Sequence, residues 1–236
     1  MEREIDMKAV SDGKLYGAND LVKVGCDDCS GCSACCHGMG SSITLDPYDI
    51  FELTRNLDKN FGQLLEESVE LNVVDGIILP NLKMAGEKEA CVYLNANGRC
   101  SIHTFRPGIC RLFPLGRIYE NGSFQYFLQI HECAKESRTK VKVKKWLDIP
   151  SLGRYEHFIA DWHYFLKEIQ EEAMEVHLQQ DAGEAKAAAV KQINMYLLQV
   201  FYVQPYEKET DFYQQYEARM TQAKAVIEAY RKQIRG

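Results

Sequence analysis

Apolar positions along the chain follow two regimes, with a change near residue 150. Beyond Pro150 they recur at helical spacing. One set is Tyr155, Phe158, Ile159, Trp162, Phe165, Leu166 and Ile169; a second is Ile193, Tyr196, Leu197, Val200 and Phe201. A third runs Phe212, Tyr216, Met220, Ala223, Ile227, Tyr230 and Ile234. Residues three and four apart share one face of an α-helix, so each set predicts a helix with a buried stripe. Breaks fall near Asp181–Gly183 and at Pro205. Residues 151–236 therefore read as three helices packed together and against the first part of the chain. The aromatic stripe Phe158, Trp162 and Phe165 reads as helix core and not as a cofactor box.

Before residue 150 the patterns are shorter. Ser42–Leu45 predicts a short strand. Asp46 caps a helix with Pro47 at its first position, running to about Leu57. A second helix is expected over Phe61–Leu71, with Phe61, Leu64, Leu65 and Val69 on one face, followed by a strand over Val73–Leu79. Asn97-Gly98 and Asn121-Gly122 are two-residue turns that admit positive φ. They predict one hairpin over Cys91–His103 and another over Gly116–Ile130, with strands Arg117–Tyr119 and Ser123–Leu128. The first 20 residues are polar and read as a loose lead-in. The expected class is α+β, mostly α. A Cys-rich domain of loops, short hairpins and helices spans residues 1–150, and a C-terminal three-helix segment spans 151–236.

Composition adds three exclusions. The chain has 236 residues, 46% hydrophobic and 26% charged. At that length it buries enough surface to fold without covalent staples. A net charge of −6 argues against general nucleic-acid binding. Arg138, Lys140, Lys142, Lys144 and Lys145 form a basic run that reads as a solvated face, or as a surface for an acidic partner or RNA. No stretch approaches the roughly 20 apolar residues of a membrane span. Met1–Val10 lacks the apolar core of a secretory signal. The reading is a cytoplasmic protein whose partner is another protein or a small molecule. In a reducing compartment its nine cysteines point to metal or redox chemistry rather than disulfides.

Five of those cysteines fall within eleven residues: Cys26, Cys29, Cys32, Cys35 and Cys36. A Cys-x-x-Cys unit lets two thiolates of one tight turn reach the same ion, and Gly31 lets the backbone curl close. Five thiols in a polar loop do not behave as small core residues. Cys26, Cys29, Cys32 and Cys36 match a bacterial ferredoxin run in spacing. His37 then stands where that pattern has proline, and there is no second run. Cys91, Cys100, Cys110 and Cys133 are more widely spaced and bracket the two expected hairpins. Folding those hairpins onto the first loop would gather the thiols. Arg106 and Arg111 either donate hydrogen bonds to cluster sulfurs and offset their charge, or form surface ion pairs. His37 and His103 are alternative ligands or hydrogen-bonding neighbours. Pro107 and Pro114 set turns. No nucleophile–base pair, phosphate loop or zinc-protease helix is readable.

Cys29-Ser-Gly-Cys32-Ser-Ala-Cys35-Cys36 resembles the first block of the YkgJ-like CxxCxxCC family of zinc- or iron-chelating cysteine-cluster proteins. Gly98-Arg-Cys100-Ser-Ile-His103-Thr-Phe-Arg106-Pro107-Gly-Ile-Cys110-Arg111-Leu-Phe113-Pro114 resembles its second block. The resemblance covers roughly residues 24–135. It implies eight ligand cysteines: Cys29, Cys32, Cys35, Cys36, Cys91, Cys100, Cys110 and Cys133, with Cys26 an extra. It implies zinc or an iron–sulfur centre, including the 4Fe-4S type, and suggests an iron–sulfur oxidoreductase or a methyl-transfer type of enzyme. A flagellin lysine N-methylase carries the same signature. This chain is shorter and shows no S-adenosylmethionine site, so that activity is not carried over. The alternatives are a zinc-stapled interaction module and a metal storage or delivery protein. Thiolate softness does not choose between the metals.

Overall fold

The computed structural model describes residues 6–29, 31–178 and 184–235. In chain order the elements are α1 (Met7–Val10), β1 (Ser11–Tyr16), β2 (Leu21–Gly25), α2 (Pro47–Leu57), α3 (Phe61–Glu67), β3 (Val69–Val74) and β4 (Ile77–Leu82). They continue with β5 (Met84–Ala85), β6 (Ala90–Cys91), α4 (Gly108–Leu112), β7 (Leu115–Glu120), β8 (Ser123–Gln129), β9 (Thr139–Lys142) and α5 (Val143–Leu147). The last three are α6 (Leu152–Leu178), α7 (Glu184–Leu198), extended by a π-helical turn Gln199–Val203, and α8 (Phe212–Arg235). The class is α+β, mostly α, with the expected C-terminal helical segment.

The chain forms two compact units, each built from two stretches: Leu45–Asn81 with Tyr164–Gly236, and Glu2–Thr44 with Leu82–His163. Helix α6 contributes residues to both.

In the first unit α2 begins where the sequence places it. Asp46 and Asp49 form a reciprocal capping box ahead of Pro47. Asn60 and Gln63 do the same for α3. That helix ends at Glu67 rather than Leu71, because Val69–Val74 enters a strand. The strand expected over Val73–Leu79 is instead the turn of a β3–β4 hairpin, with Asp75 and Gly76 both at positive φ (50° and 84°). A Cβ on Gly76 would stand 2.9 Å from the Ala173 Cβ, so this approach admits only glycine. Asn194 of α7 pins the turn: its Oδ1 accepts from the Ile78 N–H at 2.6 Å and its Nδ2 donates to the Gly76 carbonyl at 3.0 Å.

The helices bury the stripes the sequence marks, including Phe165, Ile169, Ile193, Leu197, Phe201, Tyr216 and Ile227. Arg231 of α8 ties to α6 through Glu172 at 2.9 Å and Glu168 at 3.1 Å. Where the π-turn runs out, Arg219 donates to the carbonyls of Val200, Gln204 and Pro205 and lies over the Tyr206 ring. The helix break expected near Asp181–Gly183 and the side chain of Ile234 lie outside the described residues.

The second unit is built on an antiparallel sheet of order β1-β8-β7. Residues 11–16, expected as loose lead-in, form its edge strand, with Tyr16 opposite Tyr126. The Asn121-Gly122 turn joins β7 to β8 in the expected register, Glu120 opposite Ser123. A second ribbon pairs β2 with β9. Ser42–Leu45 forms no named strand, and the hairpin expected over Cys91–His103 shrinks to a single bridge between Leu94 and Cys100. The reason is local: Asn95 closes its own loop. Its Oδ1 accepts from the N–H groups of Asn97 and Arg99, both at 3.0 Å, which takes donors a longer ladder would need.

Candidate metal centre

Strand β2 leads into the first cysteine run with Val24 fully buried and Cys26 nearly so. Asp27–Cys29 then form one tight 3-10 turn and Ala34–Cys36 another. Asp27 and Cys29 adopt positive φ (55° and 57°). The Cys32 N–H donates to the Cys29 carbonyl at 3.0 Å, and the Cys36 N–H to that of Ser33 at 2.9 Å. Two turns in so short a stretch keep the sulfurs close along the chain. The Cys26 and Cys29 Sγ atoms are 3.6 Å apart.

The second run is stitched to the first by backbone pairing. His37 bridges Ala90 in antiparallel register, and the Gly38 N–H donates to the Glu89 carbonyl at 3.0 Å. Cys36 and Cys91 adjoin this bridge, and the charge of Cys91 reaches the Cys36 thiol. The Leu94–Cys100 bridge then returns the chain. A Cβ built on Gly98 would meet the Ser33 Oγ at 3.9 Å, so the Asn95–Arg99 loop rests beside the first run. Sulfurs more than fifty residues apart in sequence are thus brought together.

The thiols perturb one another strongly, and Cys35 is the hub. A hydrogen bond from Cys36 lowers the Cys35 thiol to about 7, helped by a backbone N–H and the Arg106 charge against the opposing effect of burial. The same bond raises Cys36, with burial and the charges of Cys35, Cys100 and Cys91 adding to it. Burial, then Cys26 and Cys35, push Cys29 up to about 12, with Arg106 opposing. Cys91 is raised by burial, with Cys100 and Cys35 adding. Cys100 is raised by burial and Cys35, against a backbone N–H and the charges of Arg106 and Arg99. Cys35 therefore acts on Cys29, Cys36, Cys91 and Cys100, and Cys26 joins through Cys29.

None of the nine cysteines is in a disulfide, and eight are half-buried. Cys32 sits between the two tight turns, Cys110 on α4 and Cys133 between β8 and β9. Among the described residues no group of three or more His, Cys, Asp or Glu side chains stands ready to hold an ion without rearrangement. The donor set nevertheless fits a thiophilic metal. Sulfurs bound tetrahedrally at about 2.3 Å from an ion lie about 3.8 Å from one another, close to the Cys26–Cys29 separation.

Residues 28–142 match the model of the CxxCxxCC family, described as "Putative zinc- or iron-chelating domain". This stretch carries the CxxCxxCC domain. No curated protein and no solved structure matches the chain. The CxxCxxCC match takes in eight of the cysteines, from Cys29 to Cys133, and stops short of Cys26 and of the C-terminal helices.

The polar neighbours divide by role. Arg106 is the cation that opposes the rise of Cys29 and Cys100 and favours the Cys35 thiolate. It also donates to His103 Nε2. Arg111 laces backbone: it donates to the carbonyls of Thr104, Arg106 (3.1 Å), Leu147 (3.3 Å) and Asp148 (2.8 Å). His37 Nδ1 meets the Lys88 carbonyl at 3.4 Å. The central position of Cys35 is invisible in spacing, because all four Cys-x-x-Cys cysteines look equivalent. The Cys26–Cys29 pairing had a signal, the spacing itself.

Proposed function

We propose that the CxxCxxCC domain of this chain holds an iron–sulfur centre on Cys35, Cys36, Cys91 and Cys100 together with Cys29. The supporting observation is that Cys29, Cys36, Cys91 and Cys100 all lie within reach of the charge on Cys35. Cys26, Cys32, Cys110 and Cys133 complete the pool of sulfurs. The pool exceeds the four ligands of one structural zinc site and suits a cluster with sulfurs to spare. When bound, such a cluster supplies one-electron chemistry. The chain's own residues do the rest: Arg106 offsets thiolate charge, Arg111 fixes the segments around residues 104–111 and 147–148, and the backbone bridges hold the runs in register. Free thiols in this number suit a reducing compartment, and we place the protein in the cytoplasm. Among the described residues no helix is long and apolar enough to cross a membrane.

A second reading, zinc as a structural staple, is favoured by the Cys26–Cys29 separation of 3.6 Å. A closed four-thiolate site has no open position and no reaction of its own, and the C-terminal helices would then serve a protein partner. Anaerobic purification with metal and acid-labile sulfide analysis and a visible spectrum decides between them. Iron with sulfide supports the cluster. Colourless, iron-free, zinc-loaded protein overturns it in favour of the staple.

A further inference from the structure

A cavity of about 500 Å³ in the second unit opens directly on the first cysteine run, with Cys26 in its wall. The same cavity is lined by His103, Arg106, Lys145 and Trp146. Its walls are held by bonds already made. Arg111, also in the lining, is taken up by backbone carbonyls. The Trp146 indole N–H donates to the Phe113 carbonyl at 3.2 Å, which fixes the ring. Arg106 spends one nitrogen on His103 and keeps its other donors. Among the described residues the Lys145 ammonium makes no hydrogen bond or ion pair.

Charge and shape select the ligand class. Arg106, Arg111 and Lys145 bring three positive charges and Asp27 and Asp148 two negative ones, so the lining carries a net +1. His103 Nε2 accepts from Arg106. One surplus positive charge suits a monoanion and disfavours a polyphosphate. A guanidinium fork and an ammonium in one lining fit a carboxylate. The indole and Val141 offer an apolar wall for the rest of the molecule. A pocket of this size takes a small molecule.

We propose that this cavity binds a small monocarboxylic acid, its carboxylate held by Arg106 and Lys145 and its carbon body against Trp146. The ligand would sit beside Cys26 and share Arg106 with the thiols. The assignment deepens the metal-centre reading only in that placement; binding does not depend on which metal is present.

The test uses the full chain purified anaerobically, with metal content measured in every sample. Benzoate, acetate and inorganic phosphate are titrated while the Trp146 indole N–H resonance is followed by NMR. Saturable benzoate binding that shifts Trp146 is expected, with acetate weaker for want of a carbon body and phosphate weaker still. Lys145→Ala is expected to weaken benzoate about tenfold, the scale of a lost charged hydrogen bond, and Lys145→Glu more. Lys145 is exposed, so neither change threatens folding. No saturable shift, tighter binding of phosphate than of benzoate, or benzoate binding unchanged in both variants would overturn the proposal. Ligand binding lost at full metal content counts against the cavity alone, whereas absent metal with intact binding counts against the metal centre alone.

Discussion

Cys36 lies within electrostatic reach of Cys91 because His37 is bridged to Ala90, one residue from each. Two short backbone contacts, that bridge and the Gly38–Glu89 hydrogen bond, do what the wide sequence spacing cannot. They bring the Cys-x-x-Cys run against the second cysteine run. Backbone pairing between the runs lowers the ordering cost of binding.

The hub position of Cys35 sets an order among single substitutions. Cys35→Ala is expected to remove most bound metal, and Cys36→Ala, Cys91→Ala and Cys100→Ala to lower it comparably. Cys26→Ala, whose sulfur neighbours Cys29, should leave more metal bound than any of these. Metal per chain by elemental analysis of anaerobically purified variants checks the order.

Arg106 and Arg111 should separate into two kinds of effect. Arg106→Ala removes the cation beside the thiols and is expected to weaken metal binding about tenfold or more, in the range for groups adjoining a metal site. Arg111→Ala orphans backbone carbonyls and is expected to lower domain stability by about 1–3 kcal/mol. Chelator competition reads the first and urea unfolding of the loaded protein the second.

Metal affinity should rise with pH. Cys29, Cys36, Cys91 and Cys100 have raised thiol pKa values, so at neutral pH each keeps a proton that a metal must displace. Below those pKa values each displaced proton makes affinity about tenfold greater per pH unit, so two or more give about 100-fold. The metal-free protein should behave oppositely. Its folded state holds these protons above the unfolded pKa of about 8.5, so their contribution to stability is complete below that pH and is lost as pH rises beyond it, while Cys35, lowered to about 7, adds stability as pH rises from about 7 to 8.5. Zinc competition between about pH 6.5 and 8, and urea unfolding of the metal-free chain between about pH 8 and 10, check the two signs.

Asn194→Ala should act on the other unit alone. It unpairs the Ile78 N–H and the Gly76 carbonyl at a buried site, a loss of about 1–3 kcal/mol. Metal content should stay at the wild-type level while the urea midpoint falls.

Much of the fold is legible where one residue type dictates local geometry. Asp46-Pro47 starts α2, and Asn121-Gly122 sets the β7–β8 turn. The three C-terminal stripes hold their helices because burial repeats every turn. The misses have identifiable causes. Asp75-Gly76, between Val73-Val74 and Ile77-Ile78, is itself a hairpin signal, but the apolar run around it reads as one strand. Residues 11–16 become a strand only because β8 offers an edge more than a hundred residues away, which no local pattern records. At the candidate metal centre, residue types and spacing mark the candidate sulfurs. The ranking among them comes from the His37–Ala90 bridge and from Arg106, and both depend on long-range contact.

The central claim is that sulfurs from separate stretches converge on one metal. X-ray absorption at the metal edge of the anaerobically purified full chain reads the first coordination shell directly. The account predicts a shell of sulfur alone at about 2.3 Å. A shell of nitrogen or oxygen, or protein that binds no metal at all, would contradict it.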